Sequence, residues 1–255
     1  MTHPQEASGG ASVLASLAGV QATTARPPPR PAEASPSAGS TQDPDSSRSA
    51  PILVRLTSIV EPLAWENLFD RPAPVELELG SGDGGFLLRY ASLHPEHNFL
   101  GVERLLGRIR KLERKAPRLG LTNLRGVRIE AAYLLRYLLP PGAVTALHVY
   151  FPDPWPKKRH RSRRLVNPEF PGLAARVLAP GARVFLRTDD ADYFAQMQEV
   201  FGASAGFTVA DMPDELAQVP TDFELDFAAQ GRPTRRAAWR LALPAAQTSI
   251  TGPPP

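Results

Sequence analysis

Glu76-Leu77-Glu78-Leu79-Gly80-Ser81-Gly82-Asp83-Gly84-Gly85 reads as a short strand, Val75–Leu79, running straight into a glycine turn. Alternation along a strand places Leu77 and Leu79 on one face and Glu76 and Glu78 on the other. Gly85–Leu93 follows as a helix. Glycines at such a junction permit positive φ and bring the backbone close to a ligand. The free N–H groups at the helix start suit an anionic group. Gly80, Gly82 and Gly85 also satisfy the dinucleotide pattern G-x-G-x-x-G, a pattern that ordinary tight turns meet as well. The turn therefore indicates a strand–turn–helix unit and leaves its ligand open.

Outward from this unit, strands and helices alternate. Strands are expected at Asn98–Val102, Leu124–Ile129, Ala146–Phe151, Ala182–Leu186, Phe207–Ala210 and Ala238–Leu243. Helices are expected at Arg104–Arg118, Ala131–Leu139, Asn167–Leu178 and Ala191–Phe201, with Leu105, Ile109 and Leu112 at helical spacing and Pro180-Gly181 as a stop signal. Alternation of this kind gives an α/β fold: a mostly parallel, seven-stranded, Rossmann-like sheet with helices on both faces. Ligands then bind at the carboxyl ends of the strands, which collects the polar motifs on one edge.

Glu103 ends the second strand about twenty residues beyond the glycines, where a carboxylate can accept both ribose hydroxyls of an adenosine. Glu78 separates two kinds of nucleotide ligand. A pyrophosphate beside Gly80 and Gly82 would be repelled by the carboxylate, whereas a cationic ligand would be attracted. S-adenosylmethionine carries a sulfonium, an ammonium and an adenosine. Glu130 ends the third strand at a height suited to an adenine edge, and equally suited to capping the helix that follows.

Phe151-Pro152-Asp153-Pro154-Trp155-Pro156-Lys157-Lys158-Arg159-His160-Arg161-Ser162-Arg163-Arg164 leaves the fourth strand. Three prolines make it a stiff loop rather than a helix. Asp153 can accept from the N–H groups of a guanine edge. Trp155 can stack on a base or pack, and its size favours packing. The cations from Lys157 to Arg164 suit a phosphate backbone. An enzyme acting on a base within a nucleic acid fits this combination. Thr188-Asp189-Asp190 follows the fifth strand on the same edge, and one of its aspartates is expected to cap the next helix. Thr221-Asp222-Phe223-Glu224 has the form of a capping box.

The 255 residues carry a net charge of +3 and no cysteine, with a pI of about 9.4. Basic residues concentrate in 104–128, 157–164 and 232–240 and suggest a stripe on one face. Lack of cysteine excludes disulfides, thiolate metal sites, cysteine nucleophiles and the thiol-adduct route to pyrimidine C5 methylation. No metal is expected. No run is long enough to span a membrane, and Val13–Val20 lacks the cationic lead of a signal peptide, so a cytoplasmic protein is expected. Residues 1–50 and 245–255 are rich in Pro, Ala, Ser, Gly and Thr and are expected to be disordered, flanking a single domain at 51–244.

Together these residues resemble the bacterial tRNA (guanine-N7-)-methyltransferase family, from about Trp65 to Leu243. The signature is Phe151-Pro152-Asp153-Pro154-Trp155 with its following Lys-Lys-Arg-His. Leu77 to Gly82, Phe99 to Glu103, Thr188-Asp189 and Thr221-x-x-Glu224 match in order and spacing. The resemblance implies a class I methyltransferase that transfers a methyl group from S-adenosylmethionine to N7 of a guanosine in the tRNA variable region. It implies that Glu78, Gly80, Gly82, Glu103, Glu130 and Asp153 line the donor site, with Asp153 also catalytic. It implies that Lys157, Asp189, Thr221, Asp222, Phe223 and Glu224 contact the tRNA. Two positions depart from the family: Glu130, where an Asp is usual, and Leu225-Asp226, where a basic residue is common. The competing readings are an NAD(P)-dependent oxidoreductase on a Rossmann-like sheet and a non-catalytic RNA-binding protein.

Overall fold

The computed structural model describes residues 50–243; apart from Ala50, the tails expected at 1–50 and 245–255 lie outside the described residues. The chain forms one sheet from β1 (Leu53–Val54), β2 (Val75–Leu79), β3 (Asn98–Val102), β4 (Leu124–Val127), β5 (Val144–Tyr150), β6 (Leu178–Thr188), β7 (Phe207–Ala210) and β8 (Arg235–Leu241). Their order is β1-β4-β3-β2-β5-β6-β8-β7. The first six run parallel, and β8 lies antiparallel between β6 and β7. All seven expected strands are present. The eighth, β1, is a two-residue strand on the outer edge of β4, too short to leave an alternation signal.

The helices are α1 (Gly85–Leu93), α2 (Leu106–Lys115), α3 (Ala131–Tyr133), α4 (Phe170–Val177), α5 (Ala191–Gly202), α6 (Asp214–Ala217) and α7 (Asp222–Ala229). The expected helix 104–118 is shorter. Pro117 offers no N–H to continue α2, and a 3-10 turn takes over at Pro117–Leu119. α3 widens into a π turn at Leu134–Leu138. The basic loop, expected to stay non-helical, winds into a 3-10 turn at Lys158–Arg163 once its prolines are past. α6 and α7 were not expected as helices; only the capping box marks the start of α7.

Two apolar layers enclose the sheet. Leu77, Leu79, Leu100, Val102, Leu147 and Val149 pack against side chains of α3 to α5. Phe99, Ala146 and Phe185 pack on the other face against Phe86, Leu87, Tyr90, Leu112 and Leu216. β2 is thus buried on both faces, and its alternation places Glu76 and Glu78 inside the second layer. Glu76 is satisfied there: His148 and His97 bond its two oxygens at 2.7 and 2.5 Å. Burial would raise its pKa, but those two imidazoles override burial and hold it at about 2. Beyond β2 the chain builds outward through β3 and β4, then returns to add β5 on the other side. The connections diverge at that reversal and open a cleft at the carboxyl ends of the strands.

Candidate active site

The cleft has a volume of about 1120 Å³, more than a typical small-molecule pocket of roughly 300–1,000 Å³. It is floored by the glycine turn, where Gly80, Gly82 and Gly84 take φ of 83°, 56° and 80°. Residues with a Cβ rarely adopt these values. The N–H groups of Gly80 and Ser81 donate to the Val102 carbonyl at 2.8 and 2.9 Å. Glu103 fixes the other half of the turn. Its Oε2 accepts from Gly82 N–H at 3.0 Å and its Oε1 from Leu105 N–H at 2.6 Å. A carboxylate offers about four lone-pair sites, so Glu103 can tie the turn to α2 and still accept from a ligand.

Glu78 differs from its neighbour Glu76. It is 4% exposed, lines the cleft, and its Oε2 is buried without a hydrogen-bond partner. Burial pushes its carboxyl up to about 8; the Arg187 guanidinium opposes this and Asp222 adds to it. A buried carboxylate oxygen without a donor is costly, and a cation in the cleft would satisfy it. Asp222 adds to the negative floor. Its carboxylate occupies the space a side chain at Gly85 would need, and Arg89 donates to it at 3.0 Å.

The Asp153 loop forms the opposite wall. Phe151 and Trp155, with φ of 48° and 42°, are the only non-glycine residues of positive φ among the described residues. Bulky residues in this region store strain that surrounding contacts must hold. Phe151 N–H donates to the Arg187 carbonyl at 2.8 Å. Arg164 Nε donates to the Pro154 carbonyl at 2.7 Å, and the same guanidinium bonds Gln196 and Asp192. Arg164 is 1% exposed, so it frames the loop and is withdrawn from the expected phosphate contacts. Trp155 is half-buried, with Arg163 over its ring at 5.1 Å. Asp153 is exposed and faces the cleft wall, while Lys157, Lys158 and Arg159 are exposed beyond it.

Glu78, Gly80, Gly82, Glu103, Glu130, Asp153, Thr221, Asp222 and Phe223 line this one cleft; Lys157, Asp189 and Glu224 do not. Glu130 caps α3, its two oxygens accepting from Ala132 and Tyr133 N–H at 2.9 and 2.7 Å. Asp189 is ion-paired with Arg232 and its carbonyl accepts from Arg235, while Asp190 is the aspartate that caps α5. Thr221 and Glu224 form a complete capping box. Glu224 is buried and also accepts from Arg187 and Arg236 at 2.7 and 2.8 Å. Phe223 is exposed at the mouth beside Phe151 and Phe227. Arg187, which joins these parts, was missed from sequence, because the expected strand 182–186 stops one residue short of it whereas β6 runs on to Thr188.

A family model described as "Putative methyltransferase" matches residues 72–237. A Geobacter metallireducens protein named tRNA (guanine-N(7)-)-methyltransferase is 33% identical over 189 residues, covering 72% of this chain and 90% of that protein. A protein of the same name from Nitrosococcus oceani is 36% identical, covering 71% and 75%. Against those from Thermotoga maritima and Bordetella pertussis, 35% and 43% identical, the chain spans only 56% of their length. Among solved structures, the 16S rRNA methyltransferase KamB superposes with a TM-score of 0.52 at 21% identity, over 70% of this chain and 92% of that one; that likeness concerns the fold. No described helix is long and apolar enough to cross a membrane.

Proposed function

We propose, from the premise that this chain belongs to the tRNA (guanine-N7-)-methyltransferase family, that it transfers a methyl group from S-adenosylmethionine to N7 of a guanosine in the variable region of tRNA. The observation that carries the donor is the buried, unpartnered Glu78 oxygen on the floor of a glycine-turn cleft. Glu78 and Asp222 suit an ammonium and a sulfonium; Glu103 suits ribose hydroxyls; Gly80 and Gly82 let the backbone approach. Glu130 contributes chiefly by shaping the adenine side of the wall through its cap. A dinucleotide would bring its pyrophosphate against the same carboxylates, which disfavours the oxidoreductase.

Bound S-adenosylmethionine supplies a methyl group activated by a positively charged sulfur. Guanine N7 presents an in-plane lone pair and no proton, so no residue has to act as a base. The protein works by positioning and by electrostatics. Asp153 accepts from the guanine edge and stabilises the positive charge that the purine acquires. Phe151, Trp155 and Phe223 offer ring faces at the mouth, and Lys157, Lys158 and Arg159 meet phosphates. Asp189, Thr221 and Glu224 support substrate binding indirectly, because their polar atoms are already paired within the protein. A tRNA substrate places this activity in the cytoplasm.

The test is methyl transfer from labelled S-adenosylmethionine to unmodified tRNA, followed by mass mapping of nucleosides. N7-methylguanosine at one variable-region position is expected. Label on an exocyclic amine, on adenine, or nowhere would overturn the assignment, the last in favour of a non-catalytic RNA-binding protein.

A further inference from the structure

Arg104, Arg108, Lys111, Lys115 and Arg118 recur along α2 and its flanks at spacings of four, three, four and three. That spacing places Arg108, Lys111 and Lys115 along one side of α2, with Arg104 just before it and Arg118 in the 3-10 turn that follows. All five are exposed, while Ile109, Leu112 and Ala116 bury the helix against the sheet. Arg110 and Arg114 add two more exposed cations, and Glu113 is the sole acid on α2. Among the described residues, only Lys111 has a carboxylate partner, Asp83 at 2.6 Å. The stripe begins at the cleft, because Arg104, Arg108 and Lys111 line its mouth, and runs outward along the ten residues of α2 for roughly 15 Å at 1.5 Å per residue and on into the turn at Pro117–Leu119.

Two features set it apart from an ordinary solvated face. The first turn of α2 carries no acid, and its amino end has no side-chain cap. Cations gathered near the positive end of a helix dipole oppose folding, and the one carboxylate bonded there, Glu103 on the Leu105 N–H, is buried and ion-paired with none of these cations among the described residues. The stripe also lies on the β3–β4 side of the cleft, whereas Lys157, Lys158 and Arg159 leave β5 on the other side. Cations therefore flank the mouth on both sides.

We propose that the α2 stripe is a second phosphate-docking surface, holding the tRNA backbone on the side of the cleft away from the 157–159 cations. The methylated guanosine would then project into the cleft from a strand held at both rims. This rests on the tRNA reading above and assigns a role to cations for which the methyl-transfer chemistry has no use.

The experiment uses the full chain with Lys115→Gln and Arg118→Gln, two positions outside the cleft. tRNA affinity is measured across a salt series and S-adenosylmethionine affinity by calorimetry. If each cation meets one phosphate, the slope of log K against log salt becomes shallower by about 1.4–1.8, and affinity at 0.15 M salt falls roughly tenfold or more. Donor affinity stays unchanged. The charge-preserving pair Lys115→Arg and Arg118→Lys keeps the wild-type slope, which separates charge from fold. A wild-type slope in the Gln variant overturns the surface alone. Lost affinity in the charge-preserving variant overturns it too. Wild-type protein that fails to methylate tRNA overturns the parent reading, and this inference with it.

Discussion

Replacing Glu78 with Gln should strengthen the free protein and cripple its donor site, and the size of each effect follows from burial. The carboxyl is held at about 8 rather than the ordinary 4.5, chiefly by burial. Its folded pKa lies above its unfolded value, so the folded state holds the proton more tightly. That contribution is complete below about pH 4.5 and is lost as pH rises through about 8. At pH 7 the unfolded chain has already ionised, and keeping the group buried costs the folded state on the order of 3 kcal/mol. A neutral amide of the same shape escapes this cost. Glu78→Gln should raise Tm by roughly 6–12 °C at pH 7, using about 2–4 °C per kcal/mol for a domain of this size. Donor binding should suffer in the opposite sense, because an amide gives a sulfonium or ammonium no counter-charge. A loss of about 2 kcal/mol or more, near 30-fold in Kd, is expected. In the wild type, a cation must bind the ionised form, which is about one-tenth of the free protein at pH 7. Donor Kd should therefore improve nearly tenfold from pH 6 to pH 7, with close to one proton released. Thermal unfolding and calorimetry in buffers of different ionisation heat read all three quantities. A lower Tm for Glu78→Gln at pH 7, or a donor Kd equal to wild type, would refute the reasoning.

Asp153→Ala should lower turnover by roughly 100-fold, the scale of removing one electrostatic stabiliser, while changing donor Kd little; equal loss in both would make Asp153 a donor anchor only. Replacing Lys157, Lys158 and Arg159 with Gln should weaken tRNA binding and flatten its salt dependence, and an unchanged dependence in filter binding would remove their phosphate role. Glu224→Gln breaks a buried pair with Arg187 and should cost about 3–5 kcal/mol in denaturant unfolding, whereas a residue that only touches RNA would leave stability at wild type. The His97–Glu76 pair has opposite pH limits. His97 is raised by its hydrogen bond to Glu76 and loses its stabilising effect as pH climbs through that raised value. Glu76, held at about 2, loses its own as pH falls from about 4.5 through about 2. His97→Ala should thus cost most stability between about pH 4.5 and 6.5 and little at pH 9, as read by Tm across pH.

The sheet was legible because local signals agreed there: alternation in 75–79, glycines at 80–85, and helices spaced between apolar runs. The glycine-turn side of the cleft was legible for a related reason. Glu78 and Glu103 are charges at strand ends, where a topology of this kind gathers its ligands. The errors share another cause, since residue type does not reveal direction. Arg164 sits in a run of cations, yet it turns inward under Tyr193 and Asp192. Glu130 could be read equally as an adenine contact or a helix cap, and the structure shows the cap while keeping it on the cleft lining. α6 is only four residues long, barely one turn, so periodicity had nothing to register.

Arg187 gives Thr221, on the cleft lining, and Glu224, buried behind it, a structural part in the site. Its guanidinium donates to Glu224 at 2.7 Å, to the Val219 carbonyl at 2.9 Å and to the Leu216 carbonyl at 2.5 Å. It lies 4.3 Å over the Tyr150 ring. Its own carbonyl receives the N–H of Phe151, the first strained residue of the Asp153 loop. One buried cation therefore ties the segment carrying Asp222 to the strand end carrying Asp153. Asp222 on the floor and Asp153 on the opposite wall of the cleft are thereby held in register by a buried bond network. Those partners lie 29 to 37 residues from Arg187 along the chain, beyond the reach of any local pattern. Loss of Glu224 would leave Arg187 buried with an unbalanced charge and would loosen both walls at once. Turnover in Glu224→Gln should then fall together with stability, whereas Asp153→Ala separates the two.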